Sequence, residues 1–326
     1  MFHILLSMFL ATTPIDLTKR LPITEDFSRA ESIAKVFQKP MIVLFTGSDW
    51  DESSKQFISN VLYENTFYDV LKKEFVFAHV DFPEIETHDP VLIEKNAALK
   101  EQYHVEAFPM LVMLDKEQNE ISRIGLFSKD PEQLAAHLKS LLSRYQEIER
   151  GLMAPSVECA RLKDYYTNAK ELGASVMLAR VLERGLTIDT DPYFHLEQYS
   201  NMLTSGDATD EELAALRKKI LTIDPDNAFN AHYRLAILDF QSSAEKATDV
   251  NDAIAPLLGY IEKYGKSDQD NLWRLHMMVS QYLFSKGDSS KALEHARISY
   301  QEAPSFMKRN VFQNVEFLKK EVVNRS

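Results

Sequence analysis

The run KPMIVLFTGSDWDESSK, Lys39 to Lys55, decides how the first half of the chain folds. Met41 to Phe45 is an unbroken apolar stretch, the pattern of a strand covered on both faces. Gly47 and Ser48 interrupt it, and the residues from about Trp50 to Leu62 predict a helix. Asp49 stands where it can cap that helix, with Glu52 three residues on at capping-box spacing. A strand that turns into a helix at a tryptophan, with acids at the helix start, is the feature the surrounding sequence must explain.

Outward from it, strand and helix patterns alternate from about Phe27 to Ile148. SRAESIAKVFQKP reads as a helix ended by Pro40. FVFAHVDF and MLVML read as further strands, and EISRIGLF as an edge strand. The next helix is the plainest: Asp130 caps it, Pro131 suits its first turn and Gln133 sits at capping-box spacing. Leu134, Leu138, Leu141, Leu142 and Tyr145 then form its buried stripe.

These residues resemble the thioredoxin superfamily over roughly Phe27 to Ile148. KPMIVLFTGSDWDESSK is similar to the strand, turn and active-site helix of that fold. NAALKEQYHVEAFPMLVMLD is similar to its helix, Tyr-x-Val turn and cis-proline strand, with Pro109 in the cis-proline place. RIGLFSKDPEQL resembles the closing strand and the start of the last helix. The longer segment between VDF and NAALKEQY is typical of the exported, disulfide isomerase-like members. The resemblance puts Asp51 and Ser54 where the two cysteines of W-C-x-x-C-K would be. It also implies a peptide-binding groove formed by Trp50, Asp51, Ala107, Phe108 and Pro109, in which the backbone before the proline pairs with an extended substrate.

The expected redox reaction is nevertheless missing its atoms. Thiol–disulfide exchange needs a thiolate to attack and a second thiol to resolve the mixed disulfide. A carboxylate and a serine hydroxyl do neither, so no catalytic residue is expected at the degenerate positions Asp51 and Ser54. A helix N-terminus favours a nearby anion by ~0.3–1 kcal/mol, and Asp51 and Glu52 would occupy that field as permanent carboxylates. His79, flanked by strand residues, reads as a structural histidine. The acidic loop from Asp81 to Asp89, with His88, matches no defined metal spacing. No metal or other cofactor is expected.

After about residue 150 the strand patterns stop. LTIDTDP at Leu186 is echoed by LTIDPDN at Leu221, close to the tetratricopeptide period. In LHMMVSQYLFSKGDSSKALEHARISYQEAP, Gly287-Asp288 makes an inter-helix turn and Pro304 ends the unit, which places Ser280, Ala292 and Ser299 where helices approach closely. AFNAHYRLAILDF and NDAIAPLLGYIEKYG form another pair. The segment from Val157 to Lys320 thus resembles a tetratricopeptide-like array of about four hairpins and a final helix, an architecture whose usual use is to hold another protein.

The whole chain bounds these readings. Its 326 residues suffice for about two domains. The expected organisation is a signal peptide over 1–20, an α/β thioredoxin-like domain over 21–150 and an all-α tetratricopeptide-like domain over 151–326. A formal net charge of -12 argues against a general nucleic-acid binder, which needs a basic face. The single cysteine, Cys159, leaves no intramolecular disulfide and no two-thiol cycle. Phe2 to Ala11 is too short to span a bilayer but suits a signal h-region, so the expected location is periplasmic or otherwise exported, and cytoplasmic if that stretch is no signal. Three functions stand side by side: a redox-inactive module or scaffold that binds a protein or peptide client, a disulfide isomerase working with Cys159 or a partner's thiols, and a structural assembly subunit.

Overall fold

The computed structural model describes residues 23–84, 89–125 and 130–325. The expected leader, residues 1–20, lies outside them, as does His88. The chain divides into two compact units between Val181 and Leu182.

The first unit is built on β1 (Met41–Thr46), whose six residues are all buried. Continuous burial follows from its central place in the four-stranded sheet. It pairs in parallel with β2 (Val76–Asp81), from Met41 opposite Val76 to Thr46 opposite Asp81. On its other side it runs antiparallel to β3 (Met110–Leu114), which pairs with β4 (Glu120–Gly125) at the edge. Thr24 adds a single parallel bridge to Ala78 on the outer side of β2. Strand alternation sends Met41, Val43 and Phe45 to one face, where they pack with Ala30 and Ala34 of α1 (Phe27–Phe37) and with Tyr103 after α3 (Pro90–Gln102). Next to the other face, Phe67 meets Phe57 of α2 (Glu52–Phe57) and Phe77 of β2 edge-on. Beyond α2 the chain widens into a π-helical turn, Ile58–Leu62, and forms a second at Asn65–Asp69.

Both π turns pack against α4 (Pro131–Met153), whose expected stripe, Leu134 to Tyr145, is buried together with Ala135 and Ile148. Asp130 caps α4 by accepting from the backbone N–H of Glu132 and of Gln133, each at 3.0 Å. Its successor α5 (Cys159–Leu172) folds back onto α4 and β4. Gly151 makes room for this return, because a Cβ there would meet the Tyr165 ring at 2.3 Å.

From α6 (Ser175–Gly185) onward the chain is helical, with α7 (Tyr193–Ser205), α8 (Asp210–Ile223), α9 (Ala231–Lys246), α10 (Val250–Tyr264), α11 (Gln269–Ser285), α12 (Ser289–Glu302) and α13 (Lys308–Arg325). The first LTID echo, at Leu186, follows the end of α6, and the second, at Leu221, begins in the last turn of α8. The small residues do what close approach requires. Ala292 is fully buried, the Ser280 hydroxyl donates to its carbonyl at 2.7 Å, and the Ser299 hydroxyl donates to that of Trp273 at 2.8 Å. These bonds cross between α11 and α12, so the hydroxyls satisfy themselves on the facing backbone. No helix among the described residues is long and apolar enough to cross a membrane.

Burial also sets a pH dependence. His79, His195, His232, His276 and His295 are all held below the ordinary histidine value, in each case first by desolvation, His276 down to about 4. His276 and His295 share a 2.9 Å contact between their Nδ1 atoms, and neither ring nitrogen of buried His195 has a hydrogen-bond partner among the described residues. The unfolded chain therefore takes up protons near pH 6.5 that the folded chain refuses, and stability falls as the pH drops through that window. Urea denaturation should show a lower midpoint at about pH 5 than at about pH 7.5, above the range where most carboxylates titrate. An unchanged or higher midpoint would contradict the buried, neutral state of these rings.

Candidate functional site

The site forms where β1 and β2 end side by side. Asp81, the last residue of β2, gathers the turn that follows β1. Its Oδ1 accepts from the Thr46 hydroxyl at 2.5 Å and from the Ser48 N–H at 2.9 Å, and its Oδ2 accepts from the Ser48 hydroxyl. Because the Thr46 proton goes to the carboxylate, its oxygen accepts from His79 Nε2–H at 2.7 Å. Burial keeps His79 neutral, so that tautomer is consistent with its environment. His79 is thereby part of the frame, as its strand setting implied. Asn96 of α3 donates to the Asp81 carbonyl at 2.9 Å, which ties the opposite helix to the same point.

Two residues of the turn decide where α2 begins. The Asp51 N–H donates to Gly47 O at 2.8 Å, closing the turn before the helix starts at Glu52. Asp51 has the extended backbone of an N-cap, φ -83° and ψ 116°, and its carboxylate accepts from Ser54 N–H at 2.6 Å. Asp49, expected as the cap, instead accepts from Glu84 N–H at 2.9 Å. The physical reason is the Gly47 turn, which delays the helix by two residues and moves the cap with it. Ser54 is fully buried, and its hydroxyl accepts from Gly47 N–H at 3.1 Å. Both positions of the degenerate pair thus hold polar groups that bond to the local backbone.

Beside them lies an aromatic edge. The Trp50 indole donates to Phe82 O at 2.7 Å and meets the Phe108 ring edge-on, with centroids 5.9 Å apart. Gly47 is required here, since a Cβ would lie 2.5 Å from the indole. Phe108 stacks on Phe82 at 5.1 Å and is joined to Pro109 by a cis peptide bond. Lys100 of α3 places its ammonium 5.1 Å from the Phe108 ring centre and 5.7 Å from that of Phe82. Trp50 remains 42% exposed, Ala107 is exposed, Phe108 is half-buried and Pro109 is buried. Of the residues expected to form a groove, the structure brings Trp50 and Phe108 into contact, with Asp51 adjoining Trp50 and Ala107 and Pro109 flanking Phe108. Sequence reasoning missed Phe82 and Lys100. Phe82 closes the strand pattern FVFAHVDF, a signal that could have found it, whereas nothing in its own helix marks Lys100.

The single thiol is elsewhere: Cys159 opens α5, a helix that packs on α4 and β4. Among the described residues no group of three or more His, Cys, Asp or Glu converges as a metal site would require.

The sequence pattern of the thioredoxin-like domain matches residues 27–142, and the chain carries that domain. Over 305 residues the chain is 28% identical to the thioredoxin-related protein DsbJ of Chlamydia pneumoniae, covering 90% of this chain and 86% of that protein. It is 32% identical over 101 residues to the disulfide bond reductase DsbH of the same organism, covering 31% of this chain and 61% of the reductase. A solved structure titled DsbH oxidoreductase is 29% identical, with a TM-score of 0.36, over 38% of this chain and 85% of its own.

The site's geometry yields a stability test and a chemical one. Asp51→Ala should cost about 1 kcal/mol through loss of the cap, read as a lower urea midpoint, while Asp49→Ala should leave the start of α2 intact. Asp51→Cys combined with Ser54→Cys should form a disulfide on mild oxidation, detected as the loss of two thiols and reversed by dithiothreitol. Failure to pair in the folded protein would show that these positions do not match the thiol pair of the fold.

Proposed function

We propose that the thioredoxin-like domain grips an extended protein or peptide segment along its Trp50–Phe108 edge and performs no thiol exchange of its own. One observation carries this reading: the two positions that would hold thiols bond to the local backbone, while beside them Trp50 is exposed and Phe108 half-buried. Exchange requires two sulfurs, and no second cysteine exists in the chain. Recognition by strand addition requires only a backbone edge and side-chain pockets, which need no sulfur. The helical unit fits the same use, since stacked hairpins present a surface for holding a partner. In this reading the protein is an exported, chaperone-like scaffold, and its likeness to a thioredoxin-related protein supports the fold on which the groove stands.

A second reading has one observation in its favour, the likeness to a protein described as a disulfide bond reductase. Under it, Cys159 would form a mixed disulfide and a partner's thiol would resolve it. Insulin reduction separates the two. The account expects no turnover above the uncatalysed rate, and turnover abolished by Cys159→Ala would favour the second reading. Binding is measured independently, by fluorescence anisotropy of a labelled extended peptide without cysteine. Trp50→Ala and Phe108→Ala should each weaken it by roughly tenfold or more, the scale of an aromatic anchor in an interface. Unchanged affinity in both variants would remove the groove as the binding surface.

A further inference from the structure

We infer that the segment this groove accepts is cationic: an extended peptide in which Arg or Lys alternates with apolar or aromatic residues. The inference presupposes the groove reading above and adds the chemistry of its occupant. The aromatic edge supplies the apolar part of the contact, and the charges around it supply the selection.

Asp49 and Asp51 are half-buried on either side of Trp50, and Glu52, Glu84 and Glu106 are exposed. Glu84 is tied to the site by its backbone bond to Asp49, and Glu106 lies two residues before Phe108. Asp51 accepts from the neutral backbone N–H of Ser54, and Asp49 accepts from that of Glu84. Against these acids stand Lys55, exposed in α2, and Lys100, whose ammonium already lies over two rings. Among these described residues, acids outnumber bases at the point where an aromatic face is open. A partly exposed indole among carboxylates suits a guanidinium, which stacks on the ring and pairs with the acids at once. An acidic segment would meet like charge along the α2 side of the groove.

Two peptides of equal length and apolar content, one bearing two Arg and the other two Glu at the same positions, test this by fluorescence anisotropy. With the full chain at about 50 mM salt, the cationic peptide should bind roughly tenfold tighter, and the gap should close toward about 500 mM as the charges are screened. Glu52→Lys with Glu106→Lys should reverse the order. Glu245→Lys with Glu302→Lys, an equal charge change at exposed positions of the helical unit, should leave the order as it was. Equal binding of the two peptides, or the same effect from the remote pair, would overturn the charge preference and leave the groove standing. Failure of both peptides and of an uncharged one to bind would overturn the preference and the groove together.

Discussion

The carboxylate of Asp81 is the point on which the site depends. It stands at the end of β2 and receives hydrogen bonds from Thr46 at the end of β1 and from two atoms of Ser48 in the turn beyond. Its own carbonyl takes Asn96 from α3, and the next residue, Phe82, takes the Trp50 indole. A strand end, a turn, a facing helix and an exposed aromatic are thus fixed to two consecutive residues. Such a network is worth having only if every member is satisfied, because an unpaired buried polar group costs about 1–3 kcal/mol. The members in view are satisfied, and the frame around Asp51 and Ser54 is correspondingly well defined.

Under the proposed reading, that frame lets the scaffold persist without thiol exchange. In place of two sulfurs the chain has a carboxylate and a hydroxyl, each bonded to a backbone N–H that the turn and helix start leave available. In that reading both positions are structural, and the neighbouring aromatic surface is in place beside them. The helical unit shows the same economy at α11 and α12, where Ser280 and Ser299 serve as spacers and as donors to the facing helix.

Much of this was legible in the sequence, and the reasons are physical. MIVLF declared β1 because a central strand buries both faces, and α4 declared itself through its cap, its first-turn proline and its apolar stripe. The LTID echoes marked the ends of two helices, although the two aspartates bond differently: Asp224 accepts from the backbone of its own turn, whereas Asp189 pairs with Lys219. The cap of α2 was misread because Asp49 and Asp51 both suit the role, and the choice rests on how far the Gly47 turn extends. Asn96 and Lys100 were invisible for another reason. α3 carries no apolar stripe, its buried member is an asparagine, and both residues find their partners outside α3.

Hydrogen–deuterium exchange of the full chain with a reduced and fully alkylated polypeptide tests the central claim most directly, since such a client offers a backbone and no thiol. The account predicts slowed exchange confined, within the first unit, to the turn from Gly47 to Ser54 and to the stretch from Glu106 to Met110. Exchange that is unchanged in both stretches, or that slows there only when the client's thiols are left free, would contradict it.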